Sequence, residues 1–285
     1  MKIPPPYVVI VFLLLVVGVL TRELVKYEPE IYKYRIYNNA KQKGWFDEEV
    51  ALTTFSDKST MVVLTMRQSN AGNSNSAPYT PHNQGKIFCY YDGKLFLTKD
   101  PLIGDQGTGG SVWPRLADML IDRNIYKRII IIPIAVGKTS IQDWSTGFCH
   151  DKLVAALADL NLHKIKLTHV LWHQGEANNG SPKAYYKQQL GLIVNTIKTH
   201  GQTAPFYVSI ATYSPEARSK PLGIDTVIQN AQKEFIADNN NVLYGANTDT
   251  IIHAIDRFDA YHFSEIGVKK YAASWLTALQ QRREK

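Results

Sequence analysis

The feature that most constrains this chain is a regular alternation of apolar and amphipathic segments from Met61 onward. Five apolar segments predict β-strands: MVVLTM (61–66), RIIIIPIAV (128–136), THVLWH (168–173), PFYVSIA (205–211) and NVLYG (241–245). Helix-like segments lie between or after them, at 112–123, 150–162, 183–199, 224–238 and 264–281. Wholly apolar strands that alternate with helices are typical of a parallel sheet covered on both faces. We therefore expect an α/β fold of three α/β/α layers around a doubly wound, mainly parallel five-stranded sheet.

One segment of the domain follows a different pattern. In KIFCYYDGKLFLT (86–98) the side chains alternate on both sides of Asp92-Gly93. An Asp-Gly pair between alternating segments is a strong hairpin signal. We expect a β-hairpin inserted after the first strand.

The N-terminus carries a long uncharged segment, from Pro4 to Leu20. Its unbroken apolar part, Tyr7–Leu20, has 14 residues, which fits a signal-peptide core or a short membrane anchor. No Ala-x-Ala-like cleavage site follows it, and a helix can continue through Val25 with Arg22 reaching back to the interface. We favour an uncleaved signal-anchor, a transmembrane helix that contacts the membrane through residues 4–25. A removed signal peptide and a buried core helix are the alternatives.

The chain of 285 residues divides into three parts by composition. Residues 1–26 form the anchor or signal segment, and the polar, aromatic residues 27–58 form a connector. Residues 59–285 form one domain, which is large enough to be a catalytic domain. We expect this domain outside the cytoplasm, in the periplasm or on the cell surface if the source is bacterial. The positive-inside rule does not fix the orientation, because basic residues flank the segment on both sides.

Charge and cysteine content narrow the choice of partners. The net charge is +7 and the pI is about 9.2, yet the basic residues are scattered, with only short groups such as Arg282-Arg283. Without a concentrated basic stripe we expect no nucleic-acid partner. Cys89 and Cys149 can form one disulfide or remain buried free thiols. No CxxC motif supports a zinc ribbon or a redox site.

In doubly wound sheets the ligand site forms at the carboxyl ends of the strands. The first strand is followed by Arg67-Gln68-Ser69-Asn70-Ala71-Gly72. A serine hydroxyl is a weak nucleophile until a base removes its proton, so Ser69 needs a histidine brought close by the fold. Considered alone, such a serine is usually a turn or helix-cap residue.

Two glycine-containing loops lie at other strand ends. Gly104, Gly107, Gly109 and Gly110 precede a predicted helix, where uncovered backbone N–H groups can stabilise an oxyanion or hold a phosphate. A flexible, glycine-capped loop is the alternative. The second loop, in AVGKTS (135–140), resembles the end of a nucleotide-binding P-loop. The first glycine of that motif would fall on a strand residue, Ile132, so we interpret 137–144 as a loop at the rim of the site.

The third strand ends in an unusual group of polar residues, LWHQGEANN (171–179). The Gln174 amide can donate to an oxyanion, and Glu176 can accept a hydrogen bond from a neighbouring loop. Helix capping by Asn178 or Asn179 is the alternative, but it does not account for His173, Gln174 and Glu176.

Near the C-terminus, DRFDAYHFSEIG places Asp259 three residues before His262. This spacing lets the carboxylate orient the imidazole and stabilise its protonated form, as the base of a serine nucleophile requires. A surface Asp–His pair in a capped turn is the alternative. His253 and Asp256 extend the series towards a metal site, but no open ligand set is evident, so we expect neither a metal nor another cofactor.

The order of these segments resembles the SGNH (GDSL-like) hydrolase superfamily, within it the carbohydrate-esterase branch that includes sialate O-acetylesterases. The resemblance rests on five segments: RQSNAG (67–72), GGSVWPRLA (109–117), GKTSIQDW (137–144), WHQGEANN (172–179) and DAYHF (259–263). It implies a flavodoxin-like SGNH hydrolase fold.

The resemblance also implies residue roles. Ser69 is the nucleophile, His262 the base and Asp259 the acid that orients it. The oxyanion hole consists of the Ser69 N–H, Gly110 or its neighbour Gly109, and the Gln174 side chain. Substrate contacts fall on neighbouring residues of the same segments: Arg67, Gln68, Asn70, His173 and Glu176.

One residue departs from the family pattern, which has Gly-Gln-Ser where this chain has Arg67-Gln68-Ser69. Arginine adds bulk where glycine allows a tight turn, and it can contact an anionic group on the substrate. The resemblance implies a serine esterase that removes O-acetyl groups from a carbohydrate. The alternatives are an O-acetyltransferase acting on exopolysaccharide or cell-envelope glycan, and a catalytically silent glycan-binding domain.

Overall fold

A computed structural model describes residues 49–50, 57–217 and 220–281. These residues form a sheet whose strands lie in the order β1-β4-β3-β5-β2-β6-β7-β8. The strands are β1 (Glu49–Val50), β2 (Thr60–Arg67), β3 (Ile87–Tyr91), β4 (Lys94–Leu97), β5 (Arg128–Ala135), β6 (His169–His173), β7 (Phe206–Ile210) and β8 (Val242–Asn247). The pairs β3–β5, β5–β2, β2–β6, β6–β7 and β7–β8 are parallel, and β1–β4 and β4–β3 are antiparallel.

The strand order reverses at β2. The chain lays β3 and β5 on one side of β2 and then crosses to place β6, β7 and β8 on the other side. β6 and β7 are buried along their whole length, as expected for central strands of a covered parallel sheet. The reversal puts the end of β2, at Arg67, at the point where doubly wound sheets bind ligands.

Helices pack against the sheet in two groups. The helices are α1 (Trp113–Asp122), α2 (Ile141–Ser145), α3 (Phe148–Leu162), α4 (Lys183–Thr199), α5 (Thr226–Asp238) and α6 (Glu265–Gln281). α1 contacts α6, and both pack on the face that carries Met61, Ile129 and Leu171. The next residue of β6, Trp172, points to the opposite face, where its ring lies 6.1 Å from that of Trp144 in α2. Helices therefore lie on both faces of the sheet.

Local signals place the helix starts. α1 begins at Trp113-Pro114, where the missing N–H of proline costs nothing. Asp225 caps α5 by accepting from the backbone N–H of Val227 at 2.9 Å. Ser140 and Asp143 form a reciprocal capping box at α2.

The five predicted strands and five predicted helices are confirmed, with ends shifted by at most a few residues. The hairpin at 86–98 is also confirmed, and it turns at Asp92-Gly93. The expected sheet of five strands was too small, because β3 of this hairpin joins β5 in parallel and β1 extends the other hairpin strand. The short helix α2 was not predicted.

Both cysteines are buried free thiols, so the disulfide alternative is not realised. Ile132 lies within β5, which agrees with the rejection of a P-loop. The predicted membrane segment, residues 4–25, falls outside the described residues, as does most of the connector. Among the helices of the described ranges, none has the length and apolarity needed to cross a bilayer.

Candidate active site

Three strand ends lie side by side at one edge of the sheet. The register pairs Arg67, the last residue of β2, with Ala135 at the end of β5 and with His173 at the end of β6. The loops that follow β2, β5 and β6 therefore start next to one another at this edge of the sheet. Segments that are distant in sequence, around Ser69, Gly137 and Glu176, are brought together at this edge.

Ser69 opens a single 3-10 turn, Ser69–Ala71, directly after β2. The first residue of α1 holds this turn, since the indole N–H of Trp113 donates to the Ala71 carbonyl at 2.7 Å. Ser69 itself is half-buried. The predicted rim loop lies beside it, because a Cβ placed on Gly137 would be 3.6 Å from the Cβ of Ser69.

Asp259 and His262 form a close pair on one tight turn. The Asp259 Oδ2 lies 2.6 Å from the His262 Nδ1, and Asp259 Oδ1 accepts from the backbone N–H groups of Tyr261 and His262 at 2.9 and 2.6 Å. Partial burial raises the pKa of Asp259, but the hydrogen bonds from His262 and Tyr261 outweigh it and leave the pKa below its usual value. The carboxylate is therefore charged at neutral pH and holds the imidazole by Nδ1, which leaves Nε2 for chemistry.

The turn of Ser69, the predicted nucleophile (below, the nucleophile turn), and the Asp–His turn are joined through Asn75, which lies between them in space. Its Nδ2 donates to the Asn70 carbonyl at 2.9 Å, and its Oδ1 accepts from the Phe263 N–H at 3.1 Å. Asn75 is 1% exposed. One buried amide thus connects the neighbour of Ser69 to the neighbour of His262. Within the described part of the chain no hydrogen bond joins the Ser69 hydroxyl to His262 directly, and such contacts often tighten only when substrate binds.

Backbone hydrogen bonds join the loop of Gly109 and Gly110 to the segment that contains Asn75. Gly110 donates its N–H to the Asn75 carbonyl at 2.9 Å, and Asn75 donates back to Gly110 at 3.0 Å. Gly109 donates to the Asn73 carbonyl at 2.8 Å. Both N–H groups proposed for the oxyanion hole therefore already have protein acceptors. Position 110 requires glycine, because a Cβ there would lie 2.0 Å from the Ala77 carbonyl oxygen.

Gln174 is fully buried at the end of β6. Its Nε2 donates to Asn178 Oδ1 at 2.5 Å and to the Thr139 carbonyl at 3.3 Å. The side chain thus ties the third strand end to the rim loop. Its backbone carbonyl accepts from the Tyr186 hydroxyl at 2.7 Å, which fixes the strand end from behind.

The polar residues predicted to touch substrate are mostly turned inward. Gln68, Asn70 and His173 are at most 5% exposed, and their contact with a substrate stays a prediction. The side chain of Arg67 is outside the described set, and its contact with an anionic group stays a prediction.

Glu176 accepts a hydrogen bond from a neighbouring loop, as expected, and the donor is Asn70 Nδ2 at 3.1 Å. Its Oε1 also lies 3.0 Å from His173 Nε2. Burial raises the pKa of Glu176, but the charge interaction and hydrogen bond with His173 outweigh it, and the net pKa is lowered. A charged carboxylate under the nucleophile turn therefore anchors Asn70.

Two residues that shape this site, Asn75 and Gln106, had no specific signal in the sequence. Asn75 lies in a run of Asn, Ser and Gly that predicts only a loop. Gln106 accepts from the Gly137 N–H through Oε1 at 2.8 Å and so fixes the rim loop beside Ser69. Both act through contacts between distant parts of the chain, which local patterns do not encode.

Comparison with known proteins shows the family to which the chain belongs. The model of the family described as "Carbohydrate esterase, sialic acid-specific acetylesterase" matches residues 73–278, more than half of the chain. The match begins just after Ser69, so it includes Asp259 and His262 but not the predicted nucleophile. No curated protein matches the sequence.

Several solved structures are similar in fold. A protein from Arabidopsis thaliana has a TM-score of 0.58 and 17% identity, covering 79% of this chain and 97% of its own. The psychrotrophic esterase EstA from Pseudoalteromonas sp. has a TM-score of 0.50 and 13% identity, covering 79% of this chain and 99% of its own.

A carbohydrate acetylesterase from Xanthomonas citri has a TM-score of 0.51 and 15% identity, covering 78% of this chain and 56% of its own. At such low identities these likenesses concern the fold alone. The assignment to the esterases rests on the family match. The chain therefore belongs to the carbohydrate esterase family of sialic acid-specific acetylesterases and is a carboxylic ester hydrolase.

Proposed function

We propose that this protein is a serine esterase that removes O-acetyl groups from a carbohydrate, with Ser69, His262 and Asp259 as its catalytic triad. The observation that carries the proposal is the 2.6 Å contact of Asp259 with His262, in a turn tied through Asn75 to the turn of Ser69. A partly exposed imidazole that is oriented by a carboxylate and linked through Asn75 to the turn of a strand-end serine has the parts that acyl transfer needs.

In the proposed reaction the Ser69 Oγ attacks the acetyl carbonyl while His262 Nε2 takes the hydroxyl proton. The bond from the acetyl carbon to the sugar oxygen then breaks, and the imidazolium returns the proton to that oxygen. Water attacks the acetyl-enzyme with His262 again as base, and acetate leaves as Ser69 regains its proton. Asp259 keeps the imidazole in one orientation and stabilises its charge through both halves of the reaction.

The negative charge that develops on the carbonyl oxygen is assigned to the Ser69 N–H, Gly110 and Gln174. Gly110 and Gln174 donate to protein acceptors in this structure, so the ester has to compete for them. An oxyanion accepts stronger hydrogen bonds than a neutral carbonyl or amide oxygen. These donors are therefore recruited more fully in the transition state than in the ground state, which is the condition for catalysis.

We also propose that the protein is held at a membrane by residues 4–25 with its catalytic domain outside the cytoplasm. The support is the uncharged segment Pro4–Leu20, followed by Arg22 and Lys26 without a cleavage signal. Acetylated polysaccharides of the cell surface would be accessible to a domain in this position. Protease protection of the full chain in sealed vesicles tests the orientation.

The experiment for the proposed activity measures acetate release by the full chain in detergent. The substrates are a panel of O-acetylated glycans, neutral and sialylated, and the matched variant is Ser69→Ala. We expect acetate from at least one glycan and a loss of about 10³-fold or more in Ser69→Ala. Transfer of acetyl to a glycan hydroxyl instead of water indicates an acetyltransferase, and acetate release that Ser69→Ala retains contradicts the triad.

A further inference from the structure

The turn that carries Asp259 and His262 also carries two exposed aromatic side chains. Phe258 is 54% and Tyr261 40% exposed, whereas the third aromatic residue of this segment, Phe263, is fully buried. Phe263 packs into the core against Tyr271, with ring centroids 5.0 Å apart. The same short segment thus buries one aromatic ring, which anchors it in the core, and leaves two exposed near the imidazole of His262.

Both exposed rings are close to His262, and hydrogen bonds hold the backbone of Phe258 and the side chain of Tyr261. Their centroids lie 6.2 Å (Phe258) and 6.5 Å (Tyr261) from that of the imidazole, at interplanar angles of 31° and 45°. The Phe258 N–H donates to the His262 carbonyl at 3.0 Å. The Tyr261 hydroxyl donates to Glu216 Oε1 at 2.8 Å, which fixes the ring while leaving part of its surface open.

The turn beneath them is braced from inside. Arg257 donates through Nε to the Ile251 carbonyl at 3.0 Å and through a guanidinium nitrogen to the Tyr261 carbonyl. Its guanidinium stacks on the Phe263 ring at 4.0 Å. Exposed rings on a braced turn keep their positions without a ligand, which lowers the entropy lost when a ligand binds.

In the proposed mechanism the alcohol part of the ester must come close to these rings. His262 returns its proton to the leaving oxygen, so that oxygen comes within hydrogen-bond distance of Nε2. The alcohol bonded to this oxygen is then next to the imidazole, where Phe258 and Tyr261 are. In a carbohydrate ester that alcohol is a sugar ring, whose C–H bonds carry partial positive charge and pack on the negative face of an aromatic ring.

Resting on the proposed esterase function, we propose that Phe258 and Tyr261 form a binding subsite for the leaving sugar, a pyranose ring that packs against both aromatic rings. This subsite selects esters of cyclic sugars over esters of small aliphatic alcohols. The two aromatic residues are specificity determinants, and the acyl-transfer chemistry stays with the triad.

The test compares two acetate esters with the same acyl group. One is the acetylated pyranoside that the full chain cleaves fastest, and the other is ethyl acetate. The variants are Phe258→Leu and Tyr261→Leu, which keep apolar bulk but lose the ring, and Phe258→Tyr, which keeps it. Ile255→Ala is the matched control, because Ile255 is 63% exposed in the preceding turn and has no role in the site.

We expect each leucine variant to raise the KM for the pyranoside about three- to tenfold while kcat changes less. The ratio of kcat/KM for pyranoside over ethyl acetate should fall by the same factor. Phe258→Tyr should retain the ratio, and Ile255→Ala should match the unmodified protein. Equal losses on both esters, or leucine variants with an unchanged ratio, overturn the proposal.

A binding measurement separates failure of the subsite from failure of the esterase proposal. Saturation-transfer NMR of the acetylated pyranosides of the panel is recorded with Ser69→Ala, alone and combined with Phe258→Leu. Ring-face contacts that Phe258→Leu removes support the subsite even if no acetate is ever released. Contacts that survive the double change, or no pyranoside bound at all, overturn it.

Discussion

The two halves of the site are built in different ways. The nucleophile turn, Ser69–Ala71, is buried on its inner side and held by distant partners: Glu176 is 106 residues from Asn70, and Trp113 is 42 residues from Ala71. The Asp259–His262 turn is partly exposed, and its defining contacts join residues two or three positions apart. One half depends on the whole fold and the other on a local turn.

Because of this difference, substitutions in the two halves should affect the stability of the protein and its activity to different extents. Changes in the partly exposed turn remove a proposed catalytic group but few buried contacts, so they should lower activity while leaving the fold nearly intact. Changes beneath the nucleophile turn leave buried polar partners unsatisfied, so they should lower stability and activity together. Asn75 belongs to both halves, since it bonds the Asn70 carbonyl and the Phe263 N–H.

The largest effect is expected from Asp259→Asn. The amide oxygen can still accept the two backbone N–H groups, but it no longer stabilises a protonated His262. We expect kcat to fall by about 10²–10⁴-fold and the free energy of unfolding to change by about 1 kcal/mol or less. Steady-state kinetics with thermal denaturation checks both. A loss of stability larger than this would mean that the turn is not local.

A smaller effect is expected from Asn75→Asp, which breaks the link between the halves. The new carboxylate faces the Asn70 carbonyl instead of donating to it, so we expect about 1–3 kcal/mol less stability and a fall in kcat of about ten- to a hundredfold, with KM little changed.

Asn73→Asp is the control for this change. Asn73 is equally buried at 1% exposure, and its amide spans the Leu102 and Asp105 carbonyls instead of the catalytic turns. We expect a similar loss of stability and a fall in kcat at least about ten times smaller. If the two variants lose kcat equally, Asn75 is a structural residue and does not position the site.

The smallest effect is expected from Glu176→Gln. The folded pKa of Glu176 is lowered, so its charge stabilises the fold above the unfolded pKa of about 4.3, and this contribution is lost as the pH falls through the folded pKa. We expect the unmodified protein to be about 1–3 kcal/mol more stable than the variant at pH 6–8.

That difference in stability should shrink as the pH approaches 3, and kcat should fall only a fewfold. Denaturant unfolding across this pH range is the measurement. A difference that is constant or grows towards acid would contradict a charged Glu176.

The same contrast explains what the sequence could predict. The strands followed from their apolar composition, and MVVLTM at 61–66 became Thr60–Arg67. The Asp–His pair followed from a spacing of three residues, because a short turn fixes their distance. The role of Asn75 could not follow from the sequence, since its partner Phe263 is 188 residues away. The inward direction of Asn70 and His173 depends on tertiary packing in the same way.

The most direct test of the account asks whether Ser69 and His262 act as one site. The full chain is treated with a fluorophosphonate, which reacts with a serine only when a base activates it, and its tryptic peptides are analysed by tandem mass spectrometry. We expect one adduct, on Ser69 within the peptide 68–86, with labelling much slower in His262→Ala and Asn75→Asp than in Asn73→Asp. An adduct on another residue, or labelling of Ser69 at the same rate without His262, would contradict it.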